Sequence, residues 1–254
     1  MLNEALLFSF LLVFIRCGAM LLASPMFGAQ NTPLPVRIFT TLSIAAALTC
    51  ALNPAAGHVP GDMYVLLGAV FREAMTGLLL GLFMSLVLQA AQMAGSVIDL
   101  QMGLGMSQAL NPLTGVPVTV LSQFKYMLSL VIFLSIDGHH LMIITFAKSY
   151  TSMPPLTYVS IPALQAGIGS FIGDLCLLAI QMAAPVLAVS LIVDAGLGIV
   201  SKAVPQVQAM LVGLPAKVIL GMIALSVGLP ALTGSVSNGI GLAMKAMHTS
   251  LGMR

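Results

Sequence analysis

Residues 65–83 read VLLGAVFREAMTGLLLGLF. A run this long and this apolar matches a membrane-crossing helix, which needs ~20 residues to pass the hydrocarbon layer. Yet Arg72 and Glu73 stand in its middle. A charge at the centre of a lipid-facing helix costs ~2.5–3.5 kcal/mol on insertion scales. The pattern recurs at Arg16, inside LLFSFLLVFIRCGAMLLA (6–23), and at Lys217, inside MLVGLPAKVILGMIAL (210–225). Charges kept in such places need a polar seam, a water-filled cavity or a partner around them. The chain therefore reads as part of a membrane assembly that conducts or gates something.

Composition agrees. Of 254 residues, 59% are apolar and 6% charged, and there is no Trp; the mean hydropathy is +1.09. Soluble domains carry about 25% charged residues, so a soluble enzyme module is excluded. The length allows one membrane domain of about six helices. The net charge of +2 is too small for a nucleic-acid binder. Cys17, Cys50 and Cys176 are odd in number and lie inside apolar runs, so they are expected to be small buried hydrophobes rather than disulfide or metal partners. The first apolar run lacks the basic flank and small-residue cleavage site of a signal peptide, and it is expected to be retained.

Apolar segments are expected at about 5–23, 38–52, 63–100, 118–136, 164–193 and 207–231, with a further short helix in LMIITFAKSY (141–150). The second is short for a span, and the fifth is expected to bend near Pro185. Between the third and fourth lies LQMGLGMSQALNPLTGVPV (100–118). Its Gly103 and Gly105 free the backbone, and Pro112 and Pro117 stop helix continuation. Gly77 and Gly81 are four apart, as are Gly169 and Gly173, and each pair leaves a bare patch suited to close helix contact. VGLPA occurs at 212–216 and again at 227–231, a shift of about four helical turns that puts both copies on roughly one face.

Catalytic constellations are missing. His139 and His140 are adjacent and point about 100° apart on a helix, so they do not form the i, i+4 pair of a zinc protease; a loop at a membrane edge is the plainer reading. The acids Asp62, Asp99, Asp137, Asp174 and Asp194 are scattered. No phosphate-binding loop or nucleophile elbow is present. Arg72 and Glu73 are neighbours in sequence, cannot face each other on a helix, and are expected to have separate partners. No cofactor, metal or catalytic residue is expected.

Five separated signals now combine. Arg16 and Gly18 precede Pro25, Pro35 and Arg37. Glu73 precedes Gly77 and Gly81. AGSVIDLQMGLGM (94–106) carries Gly95, Asp99, Gln101 and Gly103, and Asn111–Pro112 follows. Asp137, Gly138 and His139 form the fourth. APVLAVSLIVDAGLGIVSKAVPQVQ (184–208) and then GLPAK (213–217) carry Pro185, Asp194, Gly198, Pro205, Gln206, Pro215 and Lys217. In this order they resemble the export-gate family that contains the flagellar FliR and injectisome SctT proteins, over essentially the whole chain. Lys202, Gln208, Met210 and Asn111 depart from residues common in that family.

The resemblance implies an all-α membrane protein of bent helical hairpins with Gly- and Pro-broken helices, assembled into a helical multi-subunit ring. It implies one export-gate domain over 1–254, with an N-terminal part of about 1–150 and a C-terminal hairpin part of about 160–254. The implied partners are FliP-like and FliQ-like gate subunits, an FlhB-like switch protein and unfolded export substrates. The implied place is the bacterial inner membrane, in the flagellar basal body, partly projecting to the periplasmic side. The segment of about 106–120 is then a plug. Its apolar side chains Met106, Leu110, Leu113 and Val116 would close a pore by packing and dewetting, with Gly103, Gly105 and Gly115 as hinges. Arg16, Arg37, Arg72, Glu73, Asp99 and Gln101 are implied structural or partner contacts, as are Asp194, Lys202, Pro205, Gln206 and Lys217. Asp99 has two readings: capping a backbone, or pinning the closed state. The rival to a gate is a secondary transporter for a small solute, which also uses broken helices with single acids; a membrane enzyme is a weaker rival. Lys245, His248 and Arg254 mildly favour a cytoplasmic C-terminus.

Overall fold

In lipid every backbone polar group must be satisfied inside the protein, and a chain of long apolar runs does this as helices. The computed structural model describes residues 4–28, 32–52, 61–104, 119–154, 161–203 and 209–251. It holds α1 (Glu4–Ala23), α2 (Leu34–Leu52), α3 (Met63–Gln101), α4 (Val120–Ser135), α5 (Gly138–Ser152), α6 (Ile161–Ala203) and α7 (Ala209–Leu251), and no strand among the described residues. Five of these, α1, α2, α3, α6 and α7, are long and apolar enough to cross a membrane, and α4 with α5 passes the same test as one broken span. The all-α membrane class and the count of about six both hold.

Helix ends differ from the sequence reading where proline is involved. α2 starts at Leu34 rather than 38, because the Pro33 carbonyl accepts from the Val36 and Arg37 amides at 3.1 and 3.3 Å. Pro35 falls in the first turn, where its missing N–H is no loss. α6 continues past 193 to Ala203 through Pro185, and α7 runs through both Pro215 and Pro230 to take in the C-terminal stretch. Hydroxyls inside helices turn back on their own backbone: Thr40, Thr41, Ser43 and Thr49 of α2 each donate to the carbonyl four residues earlier. Such bonds leave no polar hydrogen facing lipid.

The chain divides into two compact units that alternate along the sequence. One takes Met1–Val87, Leu134–Gly173 and Ile240–Arg254; the other takes Leu88–Phe133 and Asp174–Gly239. In the first, α1 packs on α2, and α3 packs on α1 through Gly77 and Gly81. A Cβ on Gly77 would collide with the Arg16 carbonyl, and one on Gly81 with the Met20 carbonyl. Leu12, Met20 and Phe146 are wholly buried here, and Phe83 meets Phe171 edge-on at 5.1 Å. In the second unit, Gly213 faces Leu197 and Gly228 faces Pro185, so both VGLPA copies turn their glycine to α6. Met102 packs against Gly221. Gly169 and Gly173, by contrast, have nothing within 4 Å of a would-be Cβ. Only Cys17 is buried; Cys50 and Cys176 are exposed, which corrects the expectation for those two.

Candidate functional site

The centre of the first unit is Arg16, 2% exposed. Its Nε and Nη2 donate to Glu73 Oε2 and Oε1 at 2.5 and 3.0 Å. Nη1 donates to Ser149 Oγ at 3.1 Å, and both terminal nitrogens reach the Met153 carbonyl at 3.3 Å. The guanidinium lies 4.0 Å from the Tyr150 ring centroid. A planar fork against a carboxylate, with the remaining donors satisfied and an aromatic face beside it, is the arrangement in which a buried ion pair is tolerated. Arg16 and Glu73 therefore need no neighbouring subunit. Arg72 goes elsewhere, its Nε donating to the Gly68 carbonyl at 2.9 Å, as the sequence reading required of adjacent residues.

The second unit holds two features at the end of α3. The helix stops in a Schellman turn. Gly103 takes φ +77°, its N–H donates to the Leu100 carbonyl at 3.1 Å, and the Leu104 N–H donates to the Asp99 carbonyl at 3.0 Å. A left-handed residue at this position is what the motif demands and what glycine supplies. The Asp99 side chain, wholly buried, accepts from the Leu121 and Ser122 amides at 3.0 and 3.1 Å. These are the free amides of the first turn of α4, so α3 supplies the anionic cap of α4 across the intervening residues. Close approach of the two helices is secured at Gly95, where a Cβ would run into Ser122 Cα.

Beside this junction an open cleft of about 420 Å³ is lined by Gln101, Gly103, Asp194, Gly198, Leu214 and Lys217 among others. Lys217 Nζ pairs with Asp194 Oδ1 at 2.6 Å, and Gln101 Nε2 donates to Asp194 Oδ2 at 3.4 Å. The pair is part-exposed, 20% and 42%. Part-exposed pairs contribute ~0–1 kcal/mol to stability, so this cluster adds little to holding the fold. Three residues singled out from sequence, far apart in the chain, are brought together here.

Other sequence candidates scatter. Arg37 is in the first turn of α2 and Lys202, exposed, in the last turn of α6. Gly105, Met106, Leu110, Leu113, Gly115, Val116, Pro205 and Gln206 lie outside the described residues. The sequence reading assigned no role to Ser149 and Tyr150, nor to Lys125, 3% exposed, whose ammonium donates to the Met182 carbonyl at 2.8 Å, one turn before Pro185. A lone lysine in an apolar run was the available signal.

Comparison with known proteins adds three findings. Residues 7–242 match the family described as bacterial export proteins, family 1. The chain is similar to the flagellar biosynthetic protein FliR of Bacillus subtilis, 33% identical across 96% of this chain and 95% of that one, and to the protein of the same name from Caulobacter vibrioides, 33% identical across 87% and 88%. It is also similar to the surface presentation of antigens protein SpaR of Shigella flexneri, 31% identical across 60% of this chain and 59% of the other.

Proposed function

The chain belongs to the bacterial export proteins of family 1, and from that premise we propose that it is a subunit of the export gate of a flagellar type III secretion system. It joins FliP-like and FliQ-like subunits in a gated conduit for unfolded export substrates and supports flagellum assembly. An FlhB-like switch protein docks on the assembly. The site is the inner membrane at the flagellar basal body, with part of the assembly toward the periplasm, and the whole chain acts as one export-gate domain. The role is conducting and gating rather than catalytic.

The observation that carries this reading is the near full-length similarity to proteins named for flagellar biosynthesis in two distant bacteria. The SpaR likeness covers 60% of the chain, which favours the flagellar machine over an injectisome. Physical features support it. The Arg16–Glu73 charges are neutralised inside the chain, while Leu191, Ile192, Ile199, Ile219 and Val227 are more than 60% exposed. A solute transporter is expected to gather several polar groups around its ligand, whereas the acids Asp62, Asp99, Asp137, Asp174 and Asp194 of this chain are scattered along the sequence.

The segment of about 106–120 is the proposed plug, by motif order in the resemblance. The Asp99 clasp supports it by fixing the two points where that stretch leaves α3 and enters α4. The experiment is native mass spectrometry of the tagged protein extracted from its host in mild detergent. One copy of this chain with several copies of two smaller apolar proteins is expected; a lone monomer or homodimer transfers the case to a transporter. Deleting Asn111 to Gly115 tests the plug, with increased ion conductance expected and unchanged leakage counting against it.

A further inference from the structure

The turn between α4 and α5 carries residues that neither the fold nor the gate accounts for. Asp137 sits at the N-cap of α5 with φ 56° and ψ 31°, a left-handed conformation that no other described non-glycine residue adopts. Aspartate at an N-cap ordinarily accepts a first-turn amide. Asp137 makes no such bond. Its backbone is tied down on both sides, with its N–H donating to the Leu134 carbonyl at 3.2 Å and its carbonyl accepting from Leu141 at 3.1 Å. Its carboxylate faces His140 instead, with Oδ1 3.9 Å from Nδ1, and both side chains are well exposed.

The adjacent histidines are closer than their spacing suggests, with ring centroids 4.9 Å apart. His139 Nδ1 is buried and has no hydrogen-bond partner. A buried ring nitrogen without a partner is uncommon and calls for an explanation such as an ion. One ligand atom each from Asp137, His139 and His140 can be chosen so that all lie within 4.8 Å of one another. Around a tetrahedral Zn²⁺, with ligands at ~2.0–2.2 Å, donors stand about 3.4 Å apart. Rotation of the exposed Asp137 and His140 side chains covers the difference.

We propose that Asp137, His139 and His140 form a site for a divalent transition metal. Two imidazoles and one carboxylate select zinc, copper or nickel over calcium and magnesium, which prefer all-oxygen shells. Three protein donors leave a coordination position for water or for a fourth donor. The first turn of α5 disfavours a cation, and the Asp137 carboxylate offsets this, so the site binds less tightly than a closed four-ligand structural site. A bound ion ties the strained turn to the first turn of α5. This explains why a cap residue is held left-handed without capping.

The test uses the untagged full chain in detergent, stripped with chelator and titrated with ZnCl₂ by calorimetry and with Co²⁺ by visible absorption. Wild type is expected to take one equivalent that the D137N/H139Q/H140Q variant lacks, and H140Q alone is expected to weaken binding at least tenfold. Asparagine tolerates the left-handed backbone, and His140 is exposed, so H140Q and D137N report even if the triple variant fails to fold. Zinc is expected to raise the melting temperature of wild type and not that of the variants. Titrations that superimpose for wild type and the variants, whether through His58, His248 and the thiols or through no binding at all, overturn the proposal.

Discussion

Glu73 shows what a single residue contributes. With Arg16 at 2% exposure and its carboxylate partner equally buried, the pair adds little net stability over a packed apolar pair, but removing one member leaves an uncompensated buried charge that costs ~3–5 kcal/mol. Glu73→Gln is therefore expected to lower the thermal midpoint strongly in detergent and to reduce accumulation in membranes. The double change Arg16→Met with Glu73→Leu is expected to recover most of the loss. A midpoint for Glu73→Gln close to wild type would show that the pair is not what closes this site. The sequence revealed that Arg72 and Glu73 must part company, since neighbours on a helix diverge. It did not reveal that Glu73 reaches 57 positions back, because nothing in a uniformly apolar chain marks which helix faces meet. The same limit hid Ser149 and the Met153 carbonyl, whose roles come from where they end up rather than from their type.

At the scale of elements, glycine spacing and helix ends decide the architecture. Gly77–Gly81 and Gly169–Gly173 are identical patterns in sequence, and both were read as close-contact patches. Only the first meets a backbone. Gly81→Val is thus expected to wedge α3 from α1 and to cost at least the ~1–3 kcal/mol of overpacking. Gly169→Ala fills open space inside a helix and is expected to be neutral or stabilising by up to ~1 kcal/mol. Equal melting shifts for the two variants, measured side by side, would contradict the packing described. The junction of α3 and α4 is more legible, because Asp99 and Gly103 stand just ahead of a stretch with further Gly and Pro. Capping or bonding a backbone was one of the two sequence readings of Asp99; the bonds to Leu121 and Ser122 add that the backbone is the first turn of another helix. Asp99→Asn keeps an acceptor but loses the charge assistance and the favourable dipole interaction. It is expected to cost ~1 kcal/mol, and Asp99→Ala up to ~2. Secretion assays on the milder variant then separate a purely structural cap from one that also pins the gate: secretion unchanged at a small stability loss leaves only the cap.

For the molecule as a whole, helix number and class were legible from apolar length alone, whereas the start of the helix at Pro35 and its continuation past Pro230 were not. Proline tells the reader that an amide is missing; it does not say whether a neighbour makes good the loss, and in membranes neighbours often do. The largest property of the molecule is likewise invisible residue by residue: little of the candidate spans in α2 and α7 is buried, 17% of each. Either lipid or other subunits must cover these faces, and charge placement distinguishes the two. Ile192 of α6 and Val227 of α7, both in the second unit, are 71% and 76% exposed. If lipid covers them, Ile192→Arg or Val227→Arg incurs the ~2.5–3.5 kcal/mol of a charge in hydrocarbon, and the chain itself fails to accumulate in the membrane. If subunits of a gate cover them, the chain still inserts, since a position destined for an interface need not meet lipid for long, but the interface loses an apolar contact and gains an unpaired charge. That loss is worth more than the ~1.4 kcal/mol of a tenfold affinity change. The export-gate reading therefore predicts normal membrane levels of Ile192→Arg together with at least a tenfold drop in co-purified smaller apolar subunits, quantified by peptide mass spectrometry against wild type. Unaltered co-purification at both positions would assign these faces of α6 and α7 to lipid and put the subunit contacts on other surfaces.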